Sequence, residues 1–190
     1  MNIFVDGFQN TGKTTLLEGS KYNSCRFPFN QYLDAFNLKT KEELNGFQIG
    51  KDLGILFALN YSTTDIQLFD RGPFSTLYYS LKENRWDGDM IRFNNFLSVL
   101  AKAKNCRYVF VYKRNGEGIT REHNDGFDYL NDDEDPNKYG DLERIRYLAA
   151  KKGIKLYLFE NDFSQSIEEN VKRFDNLIET IIREAVHEHN

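Results

Sequence analysis

Gly7-Phe8-Gln9-Asn10-Thr11-Gly12-Lys13-Thr14 sets two glycines five positions apart and follows the second with Lys-Thr. Asn2-Ile3-Phe4-Val5-Asp6 before it has the composition of a short buried strand, and Thr14-Thr15-Leu16-Leu17-Glu18 after it opens a helical pattern. A strand that passes through a glycine turn straight into a helix points to an α/β fold with a parallel sheet. In such a turn successive backbone N–H groups point inward, and the helix start adds positive potential. The loop is therefore expected to cradle phosphate. Gly7, Gln9, Asn10, Thr11, Gly12, Lys13, Thr14 and Thr15 form the expected nucleotide cradle. Within it, Lys13 is expected to reach the β- and γ-phosphates, and the Thr14 hydroxyl to bind Mg²⁺.

Four further runs share the apolar, β-rich character of Ile3–Asp6: 24–27, 65–69, 108–112 and 155–159. Helical patterns separate them, so the strands are expected to form a parallel sheet covered on both faces. Phe93, Phe96, Leu97 and Leu100 recur at helical spacing, as do Ile167, Val171, Phe174, Ile178, Ile181 and Ile182. Both stripes are expected to be core. Ser164 or Ser166 is the expected cap of the last helix, with Glu168 and Glu169 in its first turn. The 190 residues suit one domain over 1–190. A formal charge of −4 supplies no overall basic field for nucleic acid or anionic lipid. Cys25 and Cys106 are too few for a disulfide framework and are expected to be buried thiols. No stretch is long and apolar enough to span a bilayer, and no signal peptide is visible, so a cytoplasmic protein without a membrane partner is expected.

One stretch breaks the alternation. Residues 115–137 are polar and rich in Gly, Asn and acids, and they directly follow the fourth strand. Ligands of open α/β sheets bind beyond the carboxyl ends of the strands, so a lid over about 113–138 is expected. A second signal is Leu68-Phe69-Asp70-Arg71-Gly72-Pro73-Phe74-Ser75. A carboxylate ending the third strand emerges at the same edge as the phosphate loop and suits Mg²⁺, while Arg71 offers a planar fork for phosphate. Arg26, before Phe27-Pro28, ends the second strand. A helix is expected over Gly50–Tyr61, with Leu53, Leu56 and Phe57 on one face; Phe57 is expected to face the core, yet an aromatic lining a cleft is also a natural platform for a nucleobase. The pattern of GTP-binding switch proteins does not fit: Gly72 comes one place too early after Asp70, and Asn137-Lys138-Tyr139-Gly140 lacks the required acid.

The phosphate loop, Arg26-Phe27-Pro28, Ile55-Leu56-Phe57-Ala58-Leu59-Asn60, Asp70-Arg71 with Phe74-Ser75, and the run 161–168 together resemble the thymidylate kinase and deoxynucleoside kinase group. The resemblance implies a three-layer nucleoside monophosphate kinase-like α/β fold. Its five-stranded parallel sheet would have the order 2-3-1-4-5, with helices on both faces and an arginine-bearing lid. It also implies ATP and Mg²⁺ as cofactors. Lys13 would bind donor phosphates, and Thr14 and Asp70 would organise the metal. Arg26 and Arg71 would hold the acceptor phosphate beside Phe27 and Asn60, with Phe57 stacking on its base. Arg114 and Arg121 would be the lid arginines. A homodimer is compatible with the resemblance. Short, aromatic-rich members of this architecture are often phage-encoded, and this chain resembles them; the compartment would then be the host cytoplasm.

The acceptor follows from chemistry. A sugar hydroxyl needs a carboxylate base, and the position where deoxynucleoside kinases carry it holds Phe27. A monophosphate brings its own anionic oxygen and needs cations, which Arg26 and Arg71 supply. A deoxynucleoside monophosphate, a pyrimidine, is therefore the expected small-molecule acceptor. Gln9, Tyr61 and Gly72 depart from the thymidylate kinase pattern, which keeps a second acceptor open: a hydroxyl of a deoxynucleoside or of a hydroxymethylated pyrimidine in phage DNA. That chemistry would use Asp70 or Asp6 as base and Lys102, Lys104 and Arg107 as a basic groove. A nucleotide-binding protein without turnover is the third reading.

Overall fold

The computed structural model describes residues 1–26, 35–59, 65–82, 90–113 and 138–188. β1 (Asn2–Gly7) is buried along its whole length because it runs down the middle of the sheet. β3 (Gln67–Asp70) and β4 (Cys106–Tyr112) flank it, with β2 (Asn23–Arg26) and β5 (Leu156–Glu160) at the edges. All pairings are parallel, and the order is β2-β3-β1-β4-β5. The order and the parallel pairing agree with expectation, and each observed strand lies within one or two residues of its expected run.

Six helices are described: α1 (Lys13–Gly19), α2 (Lys41–Leu59), α3 (Pro73–Lys82), α4 (Met90–Leu100), α5 (Lys138–Lys151) and α6 (Ile167–Glu188). Side chains alternate across a strand, so β1 feeds two separate cores. Phe4 joins Phe69, Phe74, Tyr78, Phe93 and Tyr108 in the core that α3, α4 and α5 cover. Ile3 and Val5 join Leu16, Val109, Phe159, Phe174 and Ile178 in the core that α1 and α6 cover. Across the first face Phe4 stacks on Phe69 and Tyr108, with ring centroids 5.2 and 5.8 Å apart. Such pairs each add about 0.5–1.5 kcal/mol beyond the area they bury.

Two helices differ from their sequence reading. α2 starts at Lys41, nine residues before the expected Gly50. Its start is a reciprocal cap, in which Glu43 N–H donates to Thr40 Oγ1 at 3.1 Å and Thr40 N–H donates to Glu43 Oε2 at 3.1 Å. Gly46 and Gly50 lower helix propensity there, but Ile49, Leu53 and Leu56 pack on the core and hold the extra turns. In α6, Phe174, Ile178 and Ile181 are fully buried as the stripe requires, and Val171 and Ile182 pack against that core. Ile167 is instead 62% exposed at the helix start, because the stripe meets the sheet only after the first turn. Ser166 is the cap, accepting from Glu169 N–H at 3.1 Å, whereas Ser164 Oγ donates to Asp162 Oδ1 at 2.6 Å.

Cys106 is buried, which pushes its thiol up to about 11, while Cys25 at the edge strand is only half-buried. No described helix is long and apolar enough to cross a membrane. Of the lid expected over about 113–138, residues 114–137 lie outside the described residues. Its end residues Lys113 and Lys138 are both buried, and Tyr139 Oη donates to the Lys113 carbonyl.

Candidate active site at the carboxyl edge of the sheet

The loop after β1 owes its shape to backbone positions that side chains rarely tolerate. Gly7 has φ 150° beside β4, and a Cβ there would lie 2.2 Å from the Val111 carbonyl oxygen. Asn10 (φ 54°) and Gly12 (φ 74°) are left-handed and turn the chain back into α1. A Cβ on Gly12 would meet Asn161 Nδ2 at 2.5 Å. That amide, at the end of β5, donates to the Thr11 carbonyl at 2.8 Å and ties the loop to the far edge of the sheet. Thr11 Oγ1 donates to the Phe8 carbonyl at 3.0 Å. Lys13 folds over the inside of the loop. Its ammonium donates to the Gly7 carbonyl at 3.3 Å, to the Phe8 carbonyl and to Thr11 Oγ1 at 3.3 Å. Gln9 is buried beneath, and Thr15 is exposed on the first turn of α1. Gly12 caps α1 without a side-chain bond, so the first-turn amides carry the helix's positive end.

The neighbouring strands bring charge to the same edge. In the ladder Asp70 pairs with Val5 of β1 and with Arg26 of β2. Thr14 Oγ1 donates to Asp70 Oδ2 at 3.5 Å, a long contact. Arg26 Nε lies 3.8 Å from the same oxygen, while its Nη2 reaches Glu18 Oε1 at 2.8 Å. Arg71 follows in a left-handed conformation, φ 67°, with its N–H on the Val5 carbonyl at 3.0 Å. Mg²⁺ takes hard oxygens at about 2.0–2.1 Å in an octahedron, so adjacent ligands stand about 3 Å apart. A hydroxyl and a carboxylate at 3.5 Å fit that ion after a small approach. Among the described residues no cluster of three or more His, Cys, Asp or Glu could hold a metal. A cation here would complete its shell with phosphate and water oxygens, as Mg²⁺ does.

Asp6 does not reach the cleft, which corrects the expectation that it is a candidate base. It is fully buried. Oδ1 accepts from the N–H groups of Gly72 at 2.7 Å and Ser75 at 2.8 Å, and Oδ2 accepts from Phe74 N–H at 3.4 Å. Burial pushes its carboxyl up to about 6, and the hydrogen bonds from Ser75 and Gly72 oppose the shift. Lys102, Lys104 and Arg107 are equally misplaced for a basic groove. They surround the start of β4, at the opposite edge from the loop, and Arg107 Nη2 bonds Glu188 Oε2 at 2.8 Å.

A cleft of ≈ 590 Å³ joins the loop to this edge, with Asn10 to Leu16, Asp70 and Arg71 in its wall. Its far end is lined by Phe163, Gln165, Ile167 and Asn170, and Phe163 and Ile167 are both exposed there. Lys113 Nζ lies 5.8 Å from the Phe163 ring centroid. Of the expected site residues, the structure brings Lys13, Thr14, Asp70, Arg71 and Arg26 to one rim. Phe27, Asn60, Arg114 and Arg121 lie outside the described residues, as does the side chain of Phe57, whose backbone belongs to α2. Sequence reasoning assigned no role to Asn161 or Phe163. The hints were their place in the 161–168 run of the resemblance and their position after the last strand, where ligands gather in such sheets.

A scan against family models finds none that matches this chain, and a search of curated proteins finds no match either.

Proposed function

We propose that the chain is an ATP- and Mg²⁺-dependent phosphotransferase of the P-loop nucleoside monophosphate kinase type. The reaction is transfer of the γ-phosphoryl group to a deoxynucleoside monophosphate, a pyrimidine, giving the diphosphate. The observation that carries this reading is the convergence of Lys13, Thr14 and Asp70 on one rim, with Thr14 Oγ1 3.5 Å from Asp70 Oδ2.

Phosphoryl transfer needs positioning and charge stabilisation more than covalent chemistry. The loop amides and the α1 start would bind the donor's β- and γ-phosphates. Lys13 would exchange its three loop oxygens for phosphate oxygens, so its ammonium follows the charge of the transferred group. Thr14 and Asp70 would hold the metal, which would supply positive charge to offset that of the terminal phosphates. Arg71 would present its planar fork to the acceptor phosphate, with Arg26 beside it at the end of β2. Exposed Phe163 and Ile167 give the far end of the cleft an apolar surface for the donor base.

Transfer to a hydroxyl is the second reading. The seating of Asp6 leaves Asp70 as the base available to it, and Asp70 is already beside Thr14 and Arg26. Pure protein with γ-labelled ATP and a panel of nucleosides, monophosphates and hydroxymethylated DNA decides the acceptor. The expected product is labelled diphosphate; label only on nucleosides or polymer rejects the monophosphate assignment, and ATP binding without transfer favours a non-catalytic protein. Lys13→Ala should lower transfer by about 10²–10³-fold. Arg26→Ala should mainly raise the acceptor KM, and unchanged acceptor kinetics would remove Arg26 from the site.

A further inference from the structure

We infer that Asp6 is a positioning residue, holding the Asp70–Arg71 turn in fixed register with the phosphate loop. The inference rests on the function proposed above and adds a residue which that mechanism does not use.

Three separate constraints meet in the turn between β3 and α3. Arg71 extends the ladder by one bond, to the Val5 carbonyl, and takes a left-handed conformation to do so. Gly72 follows where a Cβ would strike the Phe4 ring at 2.4 Å. The next amides would be the unsatisfied donors of a helix start, and Asp6 takes those of Gly72, Phe74 and Ser75. Asp6 is also the residue directly before Gly7. One short piece of β1 therefore sets the phosphate loop on one side and the Asp70–Arg71 turn on the other.

The hold continues past the turn. Thr76, next to Ser75, donates its hydroxyl to buried Asp52 of α2 at 2.6 Å. α2 and α3 are thereby referenced to the strand that carries the donor loop. A shift of about 1 Å between catalytic groups can cost about 10²-fold in rate. A rigid link between the two sides is what in-line transfer requires.

The test compares wild type, Asp6→Asn, Gly72→Ala and, as a control weakened in the opposite core, Ile178→Ala. Asp6→Asn keeps one oxygen acceptor but presents an amide donor to the Phe74 N–H, so it perturbs the turn with little change in volume. Affinity for a non-hydrolysable ATP analogue is measured with chelator and with excess Mg²⁺, alongside acceptor KM and kcat. The expected result in Asp6→Asn and Gly72→Ala is metal-free affinity within about twofold of wild type. The tightening due to Mg²⁺ should fall about tenfold and the acceptor KM rise about tenfold, while the control keeps both. Wild-type values in Asp6→Asn overturn the inference, as does an equal loss in Ile178→Ala. A wild type that binds the analogue without any effect of Mg²⁺ overturns it too. A wild type with magnesium-dependent binding but no transfer rejects the reaction alone, and the binding series then decides the role of Asp6.

Discussion

Gly7 and Asp6 are adjacent in β1, yet different physics governs each. At Gly7 both the backbone angle and the space exclude a side chain, since a Cβ would press on a carbonyl of the central sheet at 2.2 Å. Backbone there cannot move without breaking the β1–β4 ladder. Gly7→Ala should therefore destabilise by about 2–4 kcal/mol, read as a lower urea midpoint at unchanged slope. At Asp6 the variable is the proton. Its carboxyl stands at about 6 in the fold against an ordinary 3.8. A raised acid binds more protons folded than unfolded, so its stabilising contribution is complete below about pH 4 and lost as pH rises through 6. Relative to Asp6→Asn, which cannot ionise, wild type should lose up to about 3 kcal/mol between pH 4 and pH 7. Parallel denaturation series at several pH values check this, and a constant difference would refute it.

At the scale of elements, the join between β5 and α6 is heavily cross-braced beside the cleft. Asn170 Nδ2 donates to the Asp162 carbonyl at 2.7 Å, and Arg173 Nη2 donates to the Glu160 carbonyl at 3.3 Å. Ser166 and Glu169 close the helix start reciprocally. Ser166→Ala should cost about 1 kcal/mol, whereas Ser164→Ala, whose exposed hydroxyl bonds only Asp162, should cost about half that or less. Thermal unfolding of the two variants separates them, and equal losses would reassign the cap. This join was partly legible in the sequence: Ser, Glu and the apolar stripe are local signals. Asn161 was not, because its partner Thr11 is 150 residues away. The early start of α2 has local signals in Thr40 and Glu43 that the sequence reading did not use, and the glycines at 46, 50 and 54 lower helix propensity there until packing on the core overrides them.

The whole molecule places the Gly7–Thr14 loop, the Thr14–Asp70 pair and Arg26 and Arg71 on the same edge because all five described strands are parallel and start at the opposite edge. Binding at that edge should stabilise the entire fold. With Mg²⁺ and an ATP analogue at about 100 times Kd, linkage gives about 2.7 kcal/mol. For a chain of this size that is a rise of about 5–10 °C in Tm. Lys13→Met should abolish most of the rise at similar starting stability. A thermal shift experiment checks this directly, and a full shift in Lys13→Met would separate Lys13 from the phosphates.

Sequence by itself determined the alternation of strands and helices, the two-faced character of β1 and the chain path from Gly7 to Thr14. Each of these depends on neighbours a few residues apart: glycine at strained angles, apolar residues at period two or 3.6, a cap before a helix. It could not separate Asp6 from Asp70 as candidate bases, two acids at the ends of adjacent strands. Tertiary structure decided that. Asp6 shares the face of Phe4 and is swallowed by the start of α3, while Asp70 shares the face of Leu68 and looks towards Thr14 of α1. The reason is strand parity combined with which helix covers each face, and the second of these exists only once the sheet is assembled.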